Sequence, residues 1–213
     1  MKHIYLFSGL GVDKRAYQNI DLTGFEITFV NWITPHRHES LAGYAARLAK
    51  LITHEKFILV GVSFGGMIAV EITKILKPEK TIIISSAKTS SEMPFKFLRK
   101  LRLHYLIPKK FLKKPNWINY RLFGIRDTKS KKILDDILRD TDPQFFRWAM
   151  NAIVFWKNKN IPDNIIHIHG TDDKILPYSF VTCDITIEKG GHFMIVDRAG
   201  ELTLILRNLL VEI

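Results

Sequence analysis

Residues 56–76 read KFILVGVSFGGMIAVEITKIL and place a serine between glycines directly after an apolar run. The run Phe57–Val62 predicts a buried strand, and the residues after Ser63 predict an apolar helix. Gly61 and Gly65 carry no side chains that would collide in a very sharp turn between the strand and the helix. Because a serine on such a turn is exposed beside a helix N-terminus, Ser63 is a candidate nucleophile.

Strand and helix patterns alternate on both sides of this stretch. Apolar runs that predict strands are HIYLF at 3–7, EITFV at 26–30, TIIIS at 81–85, NIIHIH at 164–169 and DITIE at 184–188. Helical spacing of apolar residues predicts one helix behind a Ser40 N-cap and another from about Arg198 to Leu210. Strands without polar alternation, separated by helices, predict an α/β fold with a mostly parallel sheet of about six strands and helices on both faces.

Two downstream segments place an acid and a base at the same edge of the predicted sheet as Ser63. HGTDDKILP follows one predicted strand and KGGHF follows the next, and the C-terminal ends of parallel strands share one crevice. A serine nucleophile needs a base, and a histidine base needs a group that orients it. The sequence therefore predicts a triad of Ser63, His192 and an aspartate, either Asp172 or Asp173. The amide of Phe64, at the helix start, would stabilise a developing negative charge.

The segments GVSFGG, DDKILP and GGHF together resemble the α/β-hydrolase superfamily. The resemblance covers nearly the whole chain apart from a central segment, and it implies the α/β-hydrolase fold. In that superfamily the triad acid is usually followed by one residue, two apolar residues and proline, a pattern that matches Asp173 to Pro177. The resemblance therefore implies Asp173 rather than Asp172 as the acid.

The turn FSGLG after the first predicted strand resembles the oxyanion loop of the same superfamily. The second oxyanion donor there is commonly the backbone amide just after a His-Gly pair. Here the pair is Ser8-Gly9, so the resemblance implies the amide of Leu10, with Gly11 as the alternative register. Serine in place of histidine is a departure from the pattern, but a backbone donor does not depend on that side chain.

The net charge is concentrated in one central segment. The chain of 213 residues carries a formal charge of +11, with 32 basic and 21 acidic residues. Between Lys88 and Asn160 there are 18 lysines and arginines against 6 acidic residues, so the rest of the chain is nearly neutral. The resemblance puts a helical cap at this position. We therefore expect a hydrolase core of residues 1–87 and 161–213 and a helical cap or lid insertion at residues 88–160.

The first part of the predicted cap, residues 92–117, mixes basic side chains with apolar and aromatic ones. This pattern fits a solvated basic face over an apolar floor, a helix on an anionic membrane surface, or a docking surface for an acidic partner such as an acyl carrier protein or a coenzyme A thioester. No recognition motif accompanies the charge, so we expect no nucleic-acid partner. The cap tryptophans, Trp117, Trp148 and Trp156, are expected to be packing residues.

Other sequence features bear on location and on metal sites. The apolar run near the start of the chain is too short for a signal-peptide core, so we expect a cytoplasmic protein. The single cysteine, Cys183, excludes an intramolecular disulfide and a cysteine-based zinc cluster, and its apolar setting predicts a buried strand thiol. His167 and His169 are expected on opposite faces of their strand, which argues against a joint metal site. We expect no metal and no cofactor.

Together these features predict a serine hydrolase that cleaves a carboxylic ester or thioester with an apolar acyl group. Ser63 would attack the carbonyl carbon, His192 would move the proton and Asp173 would orient the imidazole. The amides of Leu10 and Phe64 would hold the oxyanion. The resemblance implies an aspartate at the elbow of dehalogenases and epoxide hydrolases, so serine argues against those activities. Two alternatives remain: a lyase that uses the same triad for proton transfer, and a non-catalytic binding module that acts through the basic cap.

Overall fold

Six parallel strands form the sheet at the centre of the described structure. A computed structural model describes residues 2–94, 117–125 and 127–211, with only the backbone at 117–119. The strands are β1 (His3–Phe7), β2 (Glu26–Phe29), β3 (Phe57–Val62), β4 (Lys80–Ile84), β5 (Ile165–Gly170) and β6 (Ile185–Ile187). They lie in the order β2-β1-β3-β4-β5-β6, and each neighbouring pair is parallel. β3, which leads to Ser63, is therefore a central strand with neighbours on both sides.

Helices cover both faces of this sheet. Those in the described ranges are α1 (Leu41–Ala49), α2 (Phe64–Thr73), α3 (Trp117–Phe123), α4 (Thr128–Asp140), α5 (Pro143–Val154), α6 (Met194–Asp197) and α7 (Ala199–Val211). Short 3-10 helices lie at Lys14–Tyr17, Ser90–Glu92 and Tyr178–Phe180. α1 begins behind the predicted cap, since Ser40 Oγ accepts a hydrogen bond from the Gly43 amide at 3.1 Å. No helix in these ranges is long and apolar enough to cross a membrane.

Alternate residues of the strands belong to two separate apolar clusters. Tyr5 and Leu59 pack with α1, α2 and α5 on one face of the sheet. Ile4 and Ile58 pack with α4, α6 and α7 on the other face. Because both faces are buried, the strand sequences are apolar throughout. The predicted α/β fold, a parallel sheet of six strands with helices on both faces, is confirmed.

α2, the helix that follows Ser63, is buried along its whole length from Phe64 to Thr73. Its one charged side chain, Glu71, forms an ion pair with Lys74 and accepts a hydrogen bond from Trp156 Nε1 at 2.7 Å. A buried carboxylate is tolerated only with such partners. Trp156 is therefore a hydrogen-bond donor to the core as well as a packing residue.

Two helices of the predicted cap segment pack directly on the core. In α5, Trp148 Nε1 donates to the Glu39 carbonyl at 2.9 Å, and the indole packs on the Tyr44 ring with centroids 4.3 Å apart. Between α4 and α5, Thr141 Oγ1 donates to the Gly11 carbonyl at 2.8 Å. The basic stretch at 95–114 and the Trp117 side chain lie outside the described residues. The cap boundaries at residues 88 and 160 stay a prediction.

Cys183 is not the buried strand thiol that its sequence context predicts. β6 begins two residues later, at Ile185, and Cys183 is half-buried with its Sγ 3.5 Å from Thr186 Oγ1. The apolar run around it belongs to an edge strand that pairs with β5 only from Ile185 to Ile187. The residues before that short pairing therefore remain near the surface.

The turn from β3 to α2 is packed too tightly for a side chain at its glycines. A Cβ atom on Gly65 would lie 2.4 Å from the carbonyl oxygens of Phe7 and Ser8. One on Gly61 would lie 2.4 Å from the Gly65 carbonyl oxygen. All these contacts are with backbone atoms, which cannot rotate away as a flexible side chain can. The start of α2 therefore lies directly against the end of β1.

We predict that Gly65→Ala lowers the free energy of unfolding by more than about 2 kcal/mol, because the added methyl group must displace the β1 backbone. Gly200→Ala is the matched control, since a Cβ atom there meets nothing within 4 Å. At that helical position alanine is expected to raise the free energy of unfolding by up to about 1 kcal/mol. Urea unfolding followed by circular dichroism measures both values. Equal stability of the two variants would contradict the tight packing of this turn.

Candidate active site

Ser63 has a strained backbone conformation at the sharp turn between β3 and α2. Its φ is 52° and its ψ is −117°, a combination that residues with a side chain rarely adopt. The Ser63 amide donates to the Ile84 carbonyl at 2.9 Å. The Ser63 carbonyl accepts from the Gly66 amide at 2.9 Å and from Ser86 Oγ at 2.7 Å. These bonds hold the serine at the C-terminal edge of the sheet, where the sequence predicts it.

His192 lies on the loop after β6 and contacts Ser63. Its Nε2 is 2.9 Å from Ser63 Oγ, and its Nδ1 is 2.7 Å from Asp173 Oδ2. The residue is only 4% exposed, and the Phe123 ring packs edge-on against the imidazole with centroids 5.8 Å apart. Because the carboxylate accepts a hydrogen bond from Nδ1–H, Nε2 carries the lone pair that can take the proton of the serine hydroxyl.

Asp173 is the aspartate that meets His192. Its Oδ1 accepts hydrogen bonds from the amides of Ile175 and Leu176, each at 2.8 Å, which leaves Oδ2 for the imidazole. Asp173 is buried, whereas Asp172 is exposed and lines a surface cavity. The structure thus brings together Ser63, His192 and Asp173 and leaves Asp172 outside this arrangement.

The loop after β1 lies against Ser63, where the sequence predicts an oxyanion hole. A Cβ atom on Gly9 would be 3.6 Å from Ser63 Cβ. Leu10 follows Gly9 in this loop, and Phe64 is the first residue of α2. Within the described ranges neither the Leu10 nor the Phe64 amide donates a hydrogen bond, so both are available to a ligand. The role of these two amides as oxyanion donors, and the alternative at Gly11, stay predictions.

The Ser8 side chain forms a hydrogen bond within this loop. Its Oγ donates to the Val12 carbonyl at 2.6 Å, and the Val12 amide donates to the Gly9 carbonyl at 3.0 Å. Ser8 is 5% exposed, so its hydroxyl is shielded from water. The departure from the His-Gly pattern therefore leaves the backbone of the loop held in place by a short internal hydrogen bond.

His167 and His169 lie on the same face of β5, and the prediction that they occupy opposite faces is wrong. Side chains alternate along a strand with a period of two, so residues i and i+2 share a face. His167 Nε2 is 3.0 Å from His169 Nδ1. His169 Nε2 is 2.8 Å from the Leu176 carbonyl and 3.5 Å from Asp173 Oδ2. His169 thus packs behind the predicted triad acid, and the His-x-His spacing was the sequence signal for it.

Both strand histidines are fully buried and neutral. Burial is the main cause that lowers the pKa of His167 to about 3, and the neighbouring His169 adds to the effect. Burial also lowers the pKa of His169, although the Asp173 carboxylate opposes that shift. In the neutral pair, His169 Nε2–H donates to the Leu176 carbonyl at 2.8 Å, so His169 Nδ1 accepts from His167 Nε2–H. His167 Nδ1 then has no proton for the Thr182 carbonyl, which lies 3.3 Å away. Two neutral imidazoles therefore connect β5 to the loop that carries Asp173.

A cavity of about 220 Å³ opens beside the oxyanion loop. Gly11 lines it, and one wall is apolar, with Trp32, Ile33 and Phe145. Three acidic residues, Asp13, Asp140 and Asp142, also line it. The Trp32 and Phe145 rings stack with centroids 5.7 Å apart. Trp32 Nε1 is buried without a hydrogen-bond partner in the part of the chain that the structure describes. Trp32 was not predicted from the sequence, because no motif identifies a single tryptophan in a loop.

A second cavity, of about 310 Å³, adjoins the loop of His192. Gly191, the residue before His192, lines it, together with Asp172. Its basic side chains are Arg121, Lys131, Lys174 and Lys189. Two of these come from the predicted cap segment and two from the loops of the predicted triad. The positive charge of this cavity therefore arises only when the chain folds.

Comparison with known proteins gives one family and many similar folds. The model of the alpha/beta hydrolase family matches residues 7–203 of the chain. A search of the curated proteins gives no match.

Several solved structures share the fold of this chain at low sequence identity. A hydrolase from Oleispira antarctica has a TM-score of 0.79 and 15% identity over 98% of this chain and 90% of its own. A thermophilic esterase from Thermogutta terrifontis has a TM-score of 0.76 and 13% identity over 100% and 90%. A lipase-esterase related protein from Clostridium acetobutylicum has a TM-score of 0.72 and 16% identity over 97% and 93%. At such identities the similarity shows the fold and not the reaction.

We predict that acid destabilises the fold partly through His167. Its pKa is about 3 in the folded protein, against 6.5 for an unperturbed histidine, so below pH 6.5 the unfolded chain binds more protons than the folded one. The stability that depends on this group is full above that pH and falls towards pH 3 by about 1.4 kcal/mol per pH unit.

The slope of unfolding free energy against pH measures this effect. Between about pH 4 and pH 6, His167→Gln is expected to have a slope smaller by about 1.4 kcal/mol per pH unit than the wild type. His36→Gln, at an exposed loop histidine, is expected to keep the wild-type slope. Urea titrations at successive pH values give the three slopes, and an unchanged slope in His167→Gln would show that this histidine is not buried neutral.

Proposed function

Because the chain belongs to the alpha/beta hydrolase family, we propose that it is a serine hydrolase that cleaves a carboxylic ester or thioester with an apolar acyl group. The observation that carries this proposal is the continuous hydrogen-bonded path from Ser63 through His192 to Asp173, with separations of 2.9 and 2.7 Å. A serine held at a strained turn and bonded to an oriented imidazole is the arrangement that acyl transfer to serine requires.

The first half-reaction forms an acyl-enzyme. Ser63 Oγ bonds to the carbonyl carbon while its proton passes to His192 Nε2. The amides of Leu10 and Phe64 stabilise the negative charge on the carbonyl oxygen, at the positive end of α2. When the intermediate collapses, the bond to the leaving oxygen or sulfur breaks, and His192 gives its proton to that atom.

The second half-reaction releases the acid. A water molecule loses a proton to His192 Nε2 and bonds to the acyl carbon. The bond from that carbon to Ser63 Oγ then breaks, Oγ takes the proton from His192, and the carboxylic acid leaves. Asp173 keeps the imidazole in the required tautomer and stabilises its positive charge in both halves. The hydrogen bonds from two backbone amides to Oδ1 keep this carboxylate from rotating away from the imidazole.

The cavity beside the oxyanion loop supports an apolar acyl group. It begins at Gly11, next to the Leu10 amide, and its wall includes Trp32 and Phe145. Such a wall favours alkyl or aromatic groups, with orientation set by a few polar contacts.

The cavity beside His192 supports an anionic leaving group. His192 protonates the leaving atom, so the leaving group extends on the side of Gly191 and the four basic side chains of that cavity. This charge fits the phosphates of a coenzyme A thioester or an acidic acyl carrier protein better than a neutral alcohol. The basic stretch at 95–114, outside the described ranges, would extend the attraction to such a carrier or to an anionic membrane surface. A thioester substrate of this class fits the cytoplasmic location that we propose.

Two rival functions use the same residues differently. A lyase would pass protons through Ser63 and His192 without forming an acyl-enzyme, and hydrolysis in ¹⁸O-labelled water separates the two, since only a hydrolase places the label in the acid. A binding module would retain its ligand but show no turnover. Its binding would be unchanged in Ser63→Ala.

We predict that an alkyl fluorophosphonate probe labels the wild-type protein at Ser63. Labelling is expected to disappear in Ser63→Ala, because the nucleophile is lost, and to become very slow in His192→Ala, because the hydroxyl proton has no acceptor. Mass spectrometry locates the adduct. An unlabelled wild type, under conditions that label a control esterase, would refute an activated serine at this position.

We predict that the two neighbouring aspartates differ sharply in their effect on kcat. Asp173→Asn is expected to lower kcat on a p-nitrophenyl ester by about 10³–10⁴-fold, since the amide favours the wrong tautomer of His192. Asp172→Asn, the matched control at the adjacent exposed position, is expected to leave kcat little changed. Equal losses in both variants would contradict the assignment of the acid.

We predict that the double variant Lys174→Ala, Lys189→Ala raises KM for acyl-coenzyme A about three- to tenfold without a matching change for a neutral p-nitrophenyl ester. The effect should shrink at high salt, because these lysines are exposed. Lys77→Ala, an exposed lysine just after α2, serves as the control. A KM that changes equally for both substrates would argue against an anionic leaving group.

A further inference from the structure

Three side chains with metal-binding atoms meet at the N-terminal edge of the sheet. His3 and Glu26 are the first residues of β1 and β2 and are partners in the parallel register. His54 lies in the loop that leads into β3. The ligand atoms of the three lie within 4.8 Å of one another. Because Ser63 lies at the opposite, C-terminal edge, this cluster is separate from the proposed catalytic site.

His3 presents an unpaired ring nitrogen to this cluster. Its Nε2 is 2.7 Å from Thr28 Oγ1, whereas its Nδ1 is buried without a hydrogen-bond partner in the described residues. The residue is 9% exposed, and Nδ1 lies 3.5 Å from Glu26 Oε2. In the tautomer in which Nε2–H donates to Thr28 Oγ1, Nδ1 is a lone pair that faces a carboxylate. A metal ion between the two atoms would pair with both of these acceptors.

The surroundings of His3 are those of a metal ligand. A metal-bound histidine usually hydrogen-bonds its second ring nitrogen to a fixed partner, which sets the tautomer and the ring orientation. Thr28 is that partner for His3. The Tyr5 hydroxyl, 2.7 Å from His54 Nδ1, holds the His54 ring beside His3. Tyr5 and Thr28 are themselves partners in the β1–β2 register. The nitrogens left for a metal are His3 Nδ1 and His54 Nε2.

We propose that His3, Glu26 and His54 bind a zinc ion, with water as the fourth ligand. Two imidazoles and one carboxylate are a donor set that zinc favours. Bonds of about 2.0–2.1 Å place tetrahedral zinc ligands about 3.3–3.5 Å apart, and the 3.5 Å between His3 Nδ1 and Glu26 Oε2 meets this spacing. The His54 ring stacks on the His3 ring with centroids 3.7 Å apart. It must turn to direct Nε2 at the ion, which gives up the hydrogen bond to Tyr5, and its exposed loop leaves room for that rotation.

The ion would join the starts of two strands to the loop before a third. β2 is the edge strand next to β1, so the bond to Glu26 would fasten the edge of the sheet. Only the folded chain brings the three ligands together, and zinc therefore stabilises the folded state by mass action. The ligands come from separate segments, which is why no spacing in the sequence predicts the site.

The test is zinc binding by the full-length protein after metal is removed with a chelator and the chelator is dialysed away. Competition with a chromophoric zinc indicator is expected to show one equivalent of bound zinc, and zinc is expected to raise Tm by several degrees. Substitution with Co²⁺ is expected to give the visible absorption of a four-coordinate site. His54→Asn and Glu26→Gln, both at exposed residues, are expected to weaken zinc binding by at least about tenfold.

His38→Asn is the matched control. It removes an exposed histidine from another loop, at a positive φ of 58° that asparagine tolerates, and it is expected to leave the zinc affinity unchanged. Wild-type protein that binds no zinc, or that binds it as tightly after His54→Asn and Glu26→Gln, would overturn the proposal. Fluorophosphonate labelling of Ser63 is expected to be the same with and without zinc. A failure of the zinc proposal therefore leaves the proposed hydrolase activity untouched, and a failure to label Ser63 leaves the zinc proposal untouched.

Discussion

The close approach of α2 to the end of β1 is the constraint on which the rest of the site depends. Because Gly65 lies against the Phe7 and Ser8 carbonyls, the nucleophile and the oxyanion loop are held at a fixed separation by backbone contacts alone. The strand on the other side, β4, adds the bond from Ser86 Oγ to the Ser63 carbonyl. Contacts from three neighbouring strands thus hold the strained backbone of Ser63. Such strain persists only where the surrounding structure fixes the residue.

The features that depend on local sequence could be predicted. The features formed by segments that lie far apart in the sequence could not. Each member of the predicted triad lies in the turn or loop that follows a strand, and parallel topology alone brings such positions to one edge. The strands are recognisable because both faces of the sheet are buried. Trp32 and the basic cavity have no such local mark, since they form from segments that meet only in the fold. His169 could have been placed correctly, because the period of a strand is fixed.

The two cavities give the proposed site two chemically different sides along α4. Lys131, near its first turn, lines the basic cavity, and Thr141, directly after its last turn, lines the cavity with the aromatic wall and the three aspartates. Ten residues of helix separate these positions by about 15 Å. A substrate with an apolar end and an anionic end matches that distribution, with its reactive carbonyl between the two.

Thr141 connects the same helix to the oxyanion loop through a single hydroxyl. Its Oγ1 lies 2.8 Å from the Gly11 carbonyl and also 2.8 Å from the Ile137 carbonyl of its own helix. A hydroxyl has only one proton to donate, so the two carbonyls compete for it. The hydroxyl can therefore give up the Gly11 carbonyl and stay paired within its own helix, while the ion pair of Asp140 with Arg15 still joins the end of α4 to the segment after the oxyanion loop.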